Sequence, residues 1–113
     1  VCILEFKKHT LSSPISEQCF TNYYPRPDGR KYKRLALLRD YLASKSNSRI
    51  LFFVLYYPTQ TYIEQQWKLE VIEGNAFSLR ATDSFIFELP ADKSDNEYKK
   101  VIEKISQVIA ARS

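Results

Sequence analysis

Glycine is nearly missing from this 113-residue chain, which holds only Gly29 and Gly74. A phosphate-cradling loop of the glycine-rich kind needs several glycines close together, so nucleotide sites built that way are excluded. Cysteine is as sparse: Cys2 and Cys19 have no Cys-x-x-Cys or Cys/His spacing to build a structural zinc centre. Two reduced thiols in an intracellular protein are expected rather than a disulfide. His9 is the single histidine and has no recognisable orienting partner, so no Ser-, Thr- or Cys-based triad can be assembled. No apolar run approaches the ~20 residues that span a bilayer, and no signal peptide is recognisable. A cytoplasmic location away from membranes is the expectation. Methionine is absent throughout. The chain opens directly on a strand-like run, and we expect it to be incomplete at its N-terminal side.

What the chain does hold is aromatic and basic. Eight tyrosines and seven phenylalanines give a core-forming payload, and the net charge of +4 tilts the protein toward polyanions. One domain, residues 1–113, is expected from the length. Arg26, Arg30, Lys31, Lys33, Arg34 and Arg39 crowd one stretch, diluted by Asp28 and Asp40, with Tyr23, Tyr24 and Tyr32 close by. Such a patch grips a phosphate backbone and stacks on bases, or is a solvated helix face. Lys31 and Arg34 are the leading candidates for DNA phosphate contacts, with Arg30 beside them.

Periodicity orders the elements. Val1 to Lys7 reads as a strand, rich in β-branched and apolar residues without a breaker. His9 to Gly29 reads as a long loop with a short helical turn near Glu17 to Phe20. A helix is predicted over Arg30 to Ser44, with Asp28 as N-cap and an apolar stripe of Leu35, Leu38 and Leu42. Ile50 to Tyr57 is apolar or aromatic throughout and stops at Pro58, as expected of an internal strand covered on both faces. Strand, helix and buried strand in that order predict a crossover unit with the two strands parallel. Gln66 to Glu73 alternates Trp67, Leu69 and Val71 against Lys68 and Glu70, as a half-exposed strand would, and Gly74-Asn75 turns the chain. A short strand over Ser84 to Leu89 follows. Ser94 and Glu97 make a capping-box pattern ahead of Tyr98, Val101, Ile102, Ile105, Val108 and Ile109 at helical spacing.

Glu5 and Lys7 carry the sharpest chemical signal. Side chains alternate along a strand, so the two heads share one face while Cys2, Leu4 and Phe6 point into an apolar layer. A carboxylate and an ammonium so placed can hold a divalent cation against a phosphate. The same pattern also arises as an ordinary ion pair on a half-exposed strand. Two related patterns are weaker. Glu97-Tyr98-Lys99 lies in the predicted terminal helix, where residues two apart share no face. Lys68 and Glu70 share a strand face in reverse order. His9 could serve as a nearby acid or base, though a lone histidine at a strand end is commonly polar surface. Tyr56, Tyr57 and Trp67 read as core and rim aromatics.

The order of these elements, a strand bearing Glu5-Phe6-Lys7, then a helix, then a fully apolar strand, resembles the second half of the PD-(D/E)xK nuclease core. The resemblance covers roughly the first half of the chain. It implies an α/β fold, a mixed β-sheet with flanking helices of the restriction-endonuclease-like kind. It also implies a Mg²⁺-dependent (or Mn²⁺-dependent) endonuclease acting on DNA. Glu5 would bind the metal, Phe6 would add its backbone carbonyl as a further ligand, and Lys7 would assist the attacking water or the scissile phosphate. The family's other acidic ligand stands on a preceding strand, upstream of Val1, and no downstream Asp sits in an equivalent place. The isolated chain is therefore expected to be weak or inactive, and an N-terminal segment or a partner chain, including a second copy in a homodimer, is expected to complete its sheet. The competing class is a non-catalytic α/β module that binds nucleic acid or another protein.

Overall fold

The computed structural model describes residues 2–9, 13–58, 65–92 and 94–112. Strand β1 runs Cys2–His9, and helix α1 spans Gly29–Ser46. Strands β2 (Leu51–Pro58), β3 (Gln66–Asn75) and β4 (Ser78–Glu88) follow, and helix α2 (Asp95–Arg112) closes the chain. The sheet order is β1-β2-β3-β4. The β1–β2 pair is parallel, with Glu5 opposite Val54 and Lys7 opposite Tyr56. The β2–β3 and β3–β4 pairs are antiparallel. The expected α/β class, mixed sheet and internal parallel position of β2 are all present. Burial explains that position: β2 has no polar residue to turn toward water, and Phe52, Phe53 and Val54 are essentially inaccessible.

Each face of the sheet has its own core. On one side Tyr32 and Ala36 of α1 meet Phe52, Val54, Tyr56 and Ile72. On the other, Val101 and Ile105 of α2 meet Phe53, Leu55, Leu69, Val71 and Phe87. Ser94 Oγ accepts the Glu97 N–H at 3.3 Å, the first half of the expected capping box. Helix α1 stops at Asn47, which takes a left-handed φ of 50° and donates its N–H to the Ala43 carbonyl. Gly74 sits at φ 103° in the β3–β4 hairpin, where a Cβ would run into the Ser78 carbonyl.

Several sequence expectations are corrected. Strand β4 begins at Ser78, six residues earlier than expected, because the tight turn after Gly74 lets Asn75 pair with Ser78 at once. In place of one helical turn near Glu17 to Phe20 there are two short 3₁₀ turns, Ile15–Glu17 and Phe20–Asn22, with Gln18 and Cys19 extended between them. Leu38 does not face the core: Tyr32 and Ala36, spaced four apart, set the inward direction of α1 and leave Leu37, Leu38 and Tyr41 exposed. Phe6 is 58% exposed rather than in an apolar layer, because β1 is an edge strand. His9, Lys68 and Glu70 are buried rather than at the surface, since the segment ahead of α1 folds back across them. Val1 lies outside the described residues. Among the described residues, no helix is long and apolar enough to cross a membrane.

Candidate functional site at the head of helix α1

In a strand–helix–parallel strand unit the chain leaves the first strand at its carboxyl end and must begin the helix there. The helix head and the strand ends therefore share one rim, the usual place for ligands in open α/β sheets. Lys7 and His9 end β1, Tyr56 ends β2, and Asp28 and Lys31 open α1. Lys68 and Glu70 join them because β3 starts at this rim, with Lys68 opposite Tyr56 and Glu70 opposite Val54.

Glu5 and Lys7 project from the same face, yet they do not pair with each other. Lys31 Nζ lies 3.0 Å from a Glu5 carboxylate oxygen and 3.9 Å from Asp28, and Lys7 Nζ lies 2.6 Å from Asp28. The four charges form an alternating chain, Glu5–Lys31–Asp28–Lys7, in which one ammonium touches both carboxylates. All four side chains are partly open to solvent. Lys7 also sits 3.9 Å above the centre of the Tyr23 ring. The hydrogen bond from Lys7, reinforced by the positive charges of Lys7 and Lys31, holds the Asp28 carboxyl below its ordinary range against the opposing effect of burial. Burial, and then the Asp28 charge, push the Tyr23 phenol up.

Asp28 is the functional candidate that sequence reasoning misplaced. Read as a helix cap, it makes no side-chain capping bond, and its backbone (φ −100°, ψ 22°) is outside the extended region that caps use. Its carboxylate turns instead to Lys7. The available signal was the Pro27-Asp28-Gly29 turn, which marks a chain reversal at the carboxyl end of β1.

Beneath the charges lies a buried polar layer. One oxygen of Glu70, 2% exposed, accepts the Tyr56 hydroxyl at 2.6 Å and the Phe20 amide at 2.9 Å. Lys68 Nζ donates to the Ser16 carbonyl at 3.0 Å and to the Gln18 carbonyl. Tyr23 donates its hydroxyl to Gln18 Oε1 at 2.6 Å. These bonds fasten the 13–28 segment to the sheet and so set where Asp28 stands. The Tyr32 hydroxyl, fully buried, has no hydrogen-bond partner among the described residues. Burial foremost, and then neighbouring carboxylates, drive the Tyr32 and Tyr56 phenols far above their ordinary range.

The remaining candidates separate by exposure. Arg30 and Arg34 project into solvent along an open groove shared with Arg26 and Lys31, and among the described residues neither has an ion-pair partner. Lys31 lies in the ion-pair chain instead. Phe6 directs its side chain away from the site, so only its backbone could contribute. Among the described residues no three ligating side chains converge. Glu5 and Asp28 are two carboxylates sharing one cation, and Mg²⁺ is commonly held by one or two carboxylates together with phosphate oxygens and water. Glu5 and Asp28 supply that number of carboxylates, and here both contact the Lys31 ammonium.

No protein-family model matches this chain, and neither does any curated protein or solved structure.

Proposed function

We propose that this domain is a divalent-metal-dependent nuclease of the restriction-endonuclease-like kind. The observation that supports this reading is the convergence of two carboxylates and a lysine, Glu5, Asp28 and Lys7, at the carboxyl rim of the parallel strand pair. Glu5 and Asp28, with the Phe6 carbonyl, would hold Mg²⁺ or Mn²⁺, which supplies Lewis acidity toward a phosphate oxygen. Lys7 orients the attacking water or offsets charge that develops on the phosphate. Arg30 and Arg34 hold the DNA backbone along the groove, and Lys31 exchanges its place between the carboxylates for a phosphate when DNA arrives. Tyr56, Glu70 and Lys68 act on none of the reacting atoms. They position the segment that carries Asp28.

One observation favours a second reading, a non-catalytic nucleic-acid-binding module: each of the four rim charges already has a partner of opposite sign. A plasmid-nicking assay with Mg²⁺ or Mn²⁺ separates the two. Metal-dependent nicking by the wild type, falling by roughly 100-fold or more in Glu5→Gln, Asp28→Asn and Lys7→Ala, is expected of the nuclease. Nicking that is absent from the wild type, or equal in all four proteins, sinks it. In parallel, duplex binding followed by fluorescence anisotropy should lose about two units of salt slope when Arg30 and Arg34 both become Ala. A lost slope without cleavage leaves the binding module, and an unchanged slope removes DNA from both readings.

A further inference from the structure

The two edges of the sheet are built differently. At one, β4 carries Arg80, Asp83 and Glu88 among Ser78, Thr82 and Ser84, and its pairing with β3 is interrupted by a bulge at Val71/Ile72. Charges and bulges are the ordinary protection of an edge against further pairing. At the other, β1 also carries charges, Glu5, Lys7 and Lys8, but it has no proline, its register with β2 is unbroken, and among the described residues no strand pairs with its outer side. Its apolar row runs off the roofed part of the sheet. Leu51, Phe53 and Leu55 are buried beneath α2, whereas their β1 neighbours Cys2 and Leu4 are only half covered and Phe6 is 58% exposed.

We propose that β1 pairs with β1 of a second copy of this chain, antiparallel about a twofold axis through Phe6. The charge pattern selects both occupant and register. Residues opposite each other in an antiparallel pair share a face, so side chains stay on their proper sides only when paired residues have the same parity. With Phe6 on the axis, Glu5 of each copy faces Lys7 of the other, and the two Phe6 rings meet on the α2 side. Moving the axis one step of the pleat puts Glu5 against its own copy. Moving it the other way does the same to Lys7. Parallel, in-register pairing also opposes like charges. Glu5 and Lys7, which within each copy pair with Lys31 and Asp28, thus meet opposite charge across the axis in one arrangement and like charge in its neighbours. The interface is isologous and extends one continuous sheet through both copies, with both α1 faces on the same side.

Sedimentation equilibrium and a thiol trap test this together. At about 100 μM the wild type should sediment at twice the 13.3 kDa chain mass, with Phe6→Asp at the chain mass and an unchanged far-UV circular dichroism spectrum. Phe6→Cys, with Cys2 and Cys19 both changed to Ser, should form a covalent dimer on mild oxidation. Residues facing each other across an antiparallel pair stand about 4.5–5.5 Å apart at Cα, within disulfide reach. Lys8→Cys in the same background should not, because this register sets it opposite Leu4 of the other copy. A wild-type monomer at that concentration, a Phe6→Asp dimer, or equal cross-linking at both positions overturns the proposal.

Discussion

Strand β3 shows the same backbone serving two unlike faces. Trp67, Leu69 and Val71 enter the α2-side core among Phe53, Leu55, Phe87 and Tyr98. One residue out of phase, Lys68 and Glu70 are also buried, 7% and 2% exposed, on the α1 side. The first face is held by area removed from water, which is non-directional and tolerant of rearrangement. The second is held by hydrogen bonds to particular atoms, Ser16 and Gln18 carbonyls for Lys68, the Phe20 amide and Tyr56 hydroxyl for Glu70. Buried polar groups stabilise only while every partner stays in place. The face that carries the candidate site is therefore the geometrically fixed one.

The contrast is broken most severely from the apolar side. Phe53→Ala, at a fully buried ring, should cost about 3–5 kcal/mol in urea unfolding. Lys68→Met, which keeps the apolar stem and deletes the charged donor, should cost about 2 kcal/mol, because the buried Gln18 carbonyl and the part-buried Ser16 carbonyl lose their partner. A neutral Lys68→Met would mean that the polar face is held by packing like the other. Smaller, and opposite in sign, is Tyr32→Phe. Removing a buried hydroxyl without a partner should raise stability by up to about 1 kcal/mol, read as a higher denaturation midpoint at unchanged slope. Smallest is Asp28→Asn. Folding lowers the Asp28 pKa below its ordinary 3.8, chiefly through the Lys7 hydrogen bond. The resulting stabilisation is complete above the unfolded value and is lost as the pH falls through the lowered one. With both partners partly exposed, this amounts to a few tenths of a kcal/mol, and the variant should show that much less loss of stability from pH 5 to about pH 3 in thermal melts.

Elements whose residues decide their own environment were legible in the sequence. The unbroken apolar run Leu51–Tyr57 admits no position but an internal one, and spacing marks Val101 and Ile105 on the α2 face, though it also marks Ile102, which is 51% exposed. Burial conferred by distant residues was not legible. Lys68 and Glu70 alternate with apolar neighbours just as solvent-facing residues do, and only the return of the 13–22 segment reverses that reading. The site divides the same way. Strand alternation correctly set Glu5 and Lys7 on one face. Their partners come from the head of α1, and the position of Asp28 depends on a chain reversal whose direction no local pattern encodes.

The anchoring of the 13–22 segment has a kinetic consequence. Lys68 reaches Ser16 across 52 positions of sequence, and Glu70 reaches Phe20 across 50. Closing loops of that length costs entropy that local contacts do not repay. Strand β3 must therefore dock on β2 before the segment has anything to fasten to. The bonds by which β3 holds the segment therefore form after β3 has paired, later than the more local rim ion pair of Lys7 with Asp28, 21 positions apart. A perturbation that slows β3 pairing should leave a transient species in which this segment is not yet fastened to the sheet.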